Sequence, residues 1–148
     1  MASNAMASKI APSGALPRDG DPYMGDKHIA EFRVVLNEML ATCSRETQEV
    51  MQLLRDERES SERPADEMDR CDLNLQKDER RQLAKRLLQK HVEIEFALRR
   101  LDGGDYGYCE ETGDEIGLAR LRANPLARLC IEAATRNEHM DRLRSQRS

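Results

Sequence analysis

Between about residue 28 and residue 102 the apolar positions recur at alternating spacings of three and four. In the first half the series is Ile29, Phe32, Leu36, Met39, Cys43, Val50 and Leu53, with Glu46 as its one polar member. That spacing keeps a narrow stripe turned toward a partner helix, which is the coiled-coil signal rather than a broad amphipathic one. The stripe dies in Arg55-Asp56-Glu57-Arg58-Glu59. Ser60-Ser61-Glu62-Arg63-Pro64 then makes a turn, because Pro64 lacks a donor and cannot continue the first helix. A second helix begins near Ala65 or Asp66. Read back from its far end, Leu101, Leu98, Ile94, His91, Leu87 and Ala84 supply the matching stripe. Nearer the turn the same positions hold Arg80, Lys77, Leu73 and Arg70. The pattern predicts an antiparallel hairpin whose arms of roughly 33 and 37 residues are each about 50 Å long at ~1.5 Å per residue. It is well zipped at its base and loose at its tip.

The flanks read differently. Residues 1–25 hold Pro12, Gly14, Pro17, Gly20, Pro22 and Gly25, a density of breakers that predicts a flexible or draped arm, with Tyr23 and Met24 anchoring its end. Met1-Ala2-Ser3-Asn4-Ala5 before a second Met6 looks partly like a tag remnant and is left out of the fold. Asp26 is the expected N-cap of the first helix, and Gly103-Gly104 ends the second by supplying left-handed geometry. Beyond it, Asp105–Cys109 and Gly113–Gly117 read as short turns or a small hairpin. Leu118–Arg122 reads as one helical turn, and Asn124-Pro125 introduces a last helix over about 129–147, with Leu129, Ala133, Met140 and Leu143 facing inward. The expected architecture is therefore mainly all-α. A hairpin over residues 26–102, with its tip near 60–70, projects from a small lobe over 103–148 that packs against residues 23–35.

Composition narrows the function. Charged residues are 35% of the chain and aromatics 3%, too few large rings for a big spherical core but suited to a charged two-helix surface. A net charge of −4 disfavours broad nucleic-acid binding through the phosphate backbone. No apolar run is long enough to span a membrane, and the N-terminus has no apolar leader. Four cysteines without such a leader fit a reducing cytoplasm.

Two constellations carry candidate chemistry. Cys109-x-x-Thr112 and Cys130-x-x-Ala133 have the spacing of a four-cysteine zinc knuckle, C-x2-C…C-x2-C, but the second ligand of each pair is missing. Two thiolates do not close a structural zinc site, and His139 is too far along the last helix to substitute, so no structural zinc is expected. Cys109 and Cys130 read either as small buried apolar residues or as a redox pair. At the hairpin tip, Asp66 and Asp69 lie three apart at a helix start and project from one face. They read either as acids that favour the helix dipole or as a carboxylate pair held out toward a basic or metal-bearing site. The runs Arg55–Arg58 and Lys77–Arg81 read as solvated helix faces, and His91 as an interior polar group that Glu46 could partner. No nucleophile–base pair or phosphate-cradling glycine loop is visible, so the chain is not expected to be an enzyme.

Several segments together resemble the DksA family of RNA polymerase-binding transcription factors. They are Asp66-x-x-Asp69-Arg70, Asp105-Tyr106-Gly107-Tyr108-Cys109, Glu115-Ile116-Gly117-Leu118-Ala119-Arg120-Leu121, Asn124-Pro125 and Leu129-Cys130-Ile131. The likeness runs from Tyr23 to about Arg144, and the Cys–Thr–Cys–Ala set resembles the family's zinc-independent paralogue. It implies a cytoplasmic, monomeric regulator that enters the secondary channel of RNA polymerase, modulates promoter complexes in a stringent-response manner, and binds no specific DNA sequence. Asp66 and Asp69 would act beside the polymerase active site, with Arg70 and Cys71 next to them; Cys71 stands where the family usually has alanine. The family's shared site for the alarmone ppGpp uses cations at positions that here hold Glu93, Asn124 and Ala134. Arg86, Arg120 and Arg128 remain as polymerase or alarmone contacts. Two rival readings are a transcript-cleavage or active-site accessory factor of the polymerase, and a thiol-based redox sensor.

Overall fold

The computed structural model describes residues 20–60 and 66–147. The expected turn at 61–65 and the arm before residue 20 lie outside them. Four helices follow in order: α1 (Asp26–Ser60), α2 (Glu67–Gly103), α3 (Leu118–Ala123) and α4 (Ile131–Gln146). Among the described residues the only β pairing is an isolated antiparallel bridge between Tyr108 and Glu115, which closes the small hairpin expected there.

Helices α1 and α2 pack along their length on Cys43, Val50, Ala84, Leu87 and Ile94. Cys43 fits this seam as a small apolar residue, and its thiol donates to the Leu87 carbonyl at 3.2 Å. At the base a second cluster joins Phe32 and Leu36 of α1 and Ala97 and Leu101 of α2 to lobe residues Tyr106, Cys109, Ile116, Leu121, Cys130 and Ala133. Met39, Leu98 and Leu126 pack against both clusters, so the seam and the lobe core are continuous. Among the described residues no such cluster continues past Leu54: Leu73 and Leu75 are exposed, and Glu57 pairs with Arg80 where apolar contact has ended.

The register differs from the expected one in the outer half of α1. Leu53 is 46% exposed and Leu54 takes the seam position, while Glu46 is exposed and Thr47 turns inward. The physical reason is phase. Around the helix Thr47 and Leu54 lie to one side of Val50 and Glu46 and Leu53 to the other; packing against α2 puts the seam on the side of Leu54. His91 pairs along its own helix with Glu95 at 3.3 Å, not across the seam with Glu46.

The ends follow local chemistry. Asp26 is the first residue of α1 rather than its cap, and Ile29 N–H bonds the Gly25 carbonyl. Gly104 terminates α2 at φ 84°, returning its N–H to the Arg100 carbonyl. The segment before α1 is tied to the lobe: Tyr23 donates its hydroxyl to the Gly107 carbonyl at 2.5 Å and accepts from Gly117 N–H at 3.0 Å. Gly107 sits at φ 91°, and a β-carbon there would come within 2.7 Å of Met24, so glycine is needed for both conformation and space. In α4 only Ala133 is buried. Met140 and Leu143, expected inside, are 46% and 41% exposed because the helix runs out past the lobe core.

Candidate functional site

At the tip, Asp66 is the N-cap of α2, with extended backbone (φ −62°, ψ 152°) and its Oδ1 accepting from Glu67 N–H at 2.8 Å. Asp69 stands in the first turn, and Asp69, Arg70 and Cys71 are all exposed. Capping therefore accounts for one Asp66 oxygen. It does not account for Asp69, which is exposed one turn along the same face. The tip offers negative charge at the end of two arms of 35 and 37 residues, and the apolar seam stops well short of it.

The base holds a cavity of about 300 Å³ between α2 and the segment joining α3 to α4. Arg120 and Arg128 line it together with Glu93, Asn124 and Ala134. Arg86 does not. It lies on a neighbouring open groove with Lys85, Gln89, Lys90 and Glu93. Each guanidinium at the cavity is already engaged. Arg128 donates to Glu110 Oε1 at 2.8 Å and stacks 4.4 Å over the Phe96 ring. Arg120 donates to the Leu129 carbonyl at 3.1 Å. Arg100 donates to the Asp105 and Tyr108 carbonyls at 3.0 and 2.7 Å. Arg100 and Phe96 were not anticipated from the sequence. An arginine in the last turn before a glycine stop, facing the orphan carbonyls of the following loop, was the signal available for the first.

The knuckle keeps its backbone shape. Cys109 N–H donates to the Asp114 carbonyl at 2.7 Å, Gly113 N–H returns to the Cys109 carbonyl at 2.9 Å, and Glu110 N–H reaches the Arg128 carbonyl at 3.0 Å. Cys109 and Cys130 are both buried as free thiols. The Thr112 hydroxyl lies 3.7 Å from Cys130 Sγ, and Ala133 is fully buried where the fourth ligand of a knuckle would stand. Burial opposes ionisation of Cys109, but the Thr112 hydroxyl and the N–H groups of Cys130, Thr112 and Glu111 outweigh it and bring the thiol down to about 6. Glu111 is held below the usual carboxylate range by Asn137 and Arg136, which tie the knuckle to α4. The donors present are two thiols and a hydroxyl, and this set does not fit tetrahedral zinc, which takes four strong ligands. Among the described residues no three His, Cys, Asp or Glu side chains gather where they could hold a metal.

An antiparallel helical hairpin with an acidic tip, set on a knuckle-shaped lobe, defines a class of protein that reaches rather than encloses. Residues 104–139 match the family described as prokaryotic dksA/traR C4-type zinc finger. The RNA polymerase-binding transcription factor DksA of Caulobacter vibrioides (strain NA1000 / CB15N) is 36% identical over 138 residues, spanning 90% of this chain and 92% of that one. The protein of the same name from Escherichia coli (strain K12) is 32% identical over 134 residues, spanning 86% and 85%. Among solved structures, transcription factor DksA2 from Pseudomonas aeruginosa superposes with a TM-score of 0.72 at 38% identity, covering 81% of this chain and 90% of that one. The chain belongs to the DksA family.

Proposed function

We propose that this chain is a transcription factor that binds RNA polymerase directly, reaches its active centre through the secondary channel, and modulates promoter complexes without chemistry of its own. The relatives' names supply the polymerase. The observation that carries the mode of action is the exposed Asp69, one turn from the capping Asp66 at the far end of a two-helix arm. An exposed carboxylate there suits contact with cations or a metal in a partner that the arm enters. No described helix is long and apolar enough to cross a membrane, and the site of action on this reading is the cytoplasm.

Two refinements belong to the same proposal. The lobe works without structural zinc, because Thr112 and Ala133 replace two ligands while hydrogen bonds and apolar packing hold the knuckle. The chain acts with little dependence on ppGpp. A tetraphosphate needs several free cations, and Arg100, Arg120 and Arg128 are committed to carbonyls and to Glu110, beside Glu93. A second reading, a thiol-based response, is favoured by one observation. Thr112 touches the Cys130 sulfur and also lowers the Cys109 thiol, placing both sulfurs about one hydroxyl. Mass measurement after mild peroxide, with and without reductant, separates it from the main proposal.

Cys71 provides the direct test of placement, since it is exposed at the tip while Cys43, Cys109 and Cys130 are buried. A cleavage reagent tethered there should cut polymerase subunits around the active centre. Cuts confined to the outer surface would refute entry through the channel.

A further inference from the structure

Helix α1 runs on past Leu54, where its apolar seam ends, to Ser60, and α2 reaches the tip well beyond Ala84, its outermost buried residue. From Ala84 to Glu67 is about 25 Å at ~1.5 Å per residue. On that stretch Glu57 of α1 pairs with Arg80 of α2. Both stand at seam positions: Glu57 follows Leu54 by three and Val50 by seven, and Arg80 precedes Ala84 by four. Their side chains are 17% and 34% exposed, whereas those of Arg81 and Asp78, paired along α2, are 63% and 64% exposed. The seam therefore continues beyond its apolar part as a partly withdrawn charge pair.

Apolar side chains attract without direction, so a seam built from them alone resists separation better than it resists sliding or rotation. A charge pair at a seam position is directional. Shifting one arm past the other removes the partner and leaves a carboxylate with little access to water, which is costly. Polar residues at such positions fix the alignment of two-helix coils in this way. A second ion pair across the arms, Arg33 with Asp102, has side chains 44% and 62% exposed. It stands beside Phe32, Leu36 and Leu101, whose packing already fixes the base, so it adds little. Place in the seam, not charge alone, sets Glu57 and Arg80 apart.

We propose that Glu57 and Arg80 form a positioning pair that sets the alignment of the outer arms, and with it the place of Asp66 and Asp69. Arg80 lies roughly 16 Å along α2 from Asp69, so a rotation or slip at the pair is carried to the tip by a continuous helix. The pair acts through the tip rather than by its own contact with polymerase. Its importance for transcription rests on the reading of the tip as the working end.

Spin labels on Cys71 and on a Glu59→Cys substitution, both exposed positions, read the spacing of the arms beside the tip in the full chain. The distance distribution should be narrow without further change, and should broaden or shift with Glu57→Gln. Adding Arg80→Gln should make it no worse, because the interaction is already lost. Arg33→Gln should leave it unchanged. The thermal midpoint should move by only about 3 °C or less in each variant, since both apolar clusters are intact. At equal occupancy of polymerase, Glu57→Gln should lose about half or more of the inhibition that the unaltered chain gives at a ribosomal promoter. A distribution that is broad from the start, that Glu57→Gln leaves unchanged, or that Arg33→Gln alters as much would overturn the pair as the alignment device. An altered distribution with full inhibition would overturn its positioning role. An unaltered chain with no effect on polymerase contradicts the function itself, while the spin-label distances still judge the pair.

Discussion

The Thr112 hydroxyl approaches the Cys130 thiol to 3.7 Å, so a threonine occupies the place of a ligand and contacts the sulfur that a metal would otherwise hold. With Ala133 buried beside it, two of the four knuckle positions exchange a thiol for a hydroxyl and a methyl, within a hydrogen-bonded turn and apolar contacts.

This exchange should be reversible. Thr112→Cys together with Ala133→Cys restores four thiols at knuckle spacing, and metal analysis of that variant should find one tightly bound zinc per chain. The unaltered chain should hold far less than one. Stoichiometric zinc in the unaltered chain would refute the zinc-independent reading.

Cys109 predicts a pH dependence. Its thiol is lowered from 9.0 to about 6 in the folded chain. A depressed acid contributes stability that is complete above the unfolded value and is lost as pH falls through the folded one. Between pH 9 and 6 this contribution should therefore decline, and Cys109→Ser should abolish that slope in thermal melts. Thiolate absorbance in the folded protein should titrate with a midpoint near 6 and vanish in the same variant. A midpoint near the ordinary thiol value would show that the N–H groups do not reach the sulfur as described.

The arginines at the base should rank by burial. The Arg100 side chain is 12% exposed and serves one exposed and one half-buried carbonyl, so Arg100→Ala removes two hydrogen bonds and should cost about 1–2 kcal/mol. Arg128 is 52% exposed. Its ion pair with Glu110 and its stacking on Phe96 should together be worth only about 1 kcal/mol. Urea denaturation of the two variants would reverse the order if the Phe96 contact dominated.

Much of this fold was legible because it depends on periodicity and breakers. Phe32, Leu36, Cys43, Val50, Ala84, Leu87, Ile94 and Leu101 all stand buried where the three–four pattern puts them, and Gly104 caps α2 as its position requires. The pattern failed where its own signal weakens. With Glu46 between Cys43 and Val50, the phase could not distinguish Leu53 from Leu54, and only packing against α2 selects Leu54. Met140 and Leu143 have the right spacing on α4, but among the described residues Ala133 is the one buried residue of that helix. The tip residues could be named because they are local to a helix start. The cavity at the base could be named only through the family resemblance, which groups Glu93, Asn124 and Ala134 with Arg120 and Arg128. It is assembled from side chains that lie far apart in sequence, and Arg100 and Phe96 take on their roles only once the lobe docks against α2.

The central claim is that the tip carboxylate acts inside polymerase, and Asp69→Asn addresses it most directly. This substitution keeps the size of the side chain and removes its charge, far from both apolar clusters. In transcription from a ribosomal promoter with purified polymerase, the unaltered chain should inhibit initiation. The Asp69→Asn chain should bind polymerase with similar affinity and lose that inhibition. Full inhibition by the variant at equal occupancy would contradict the account.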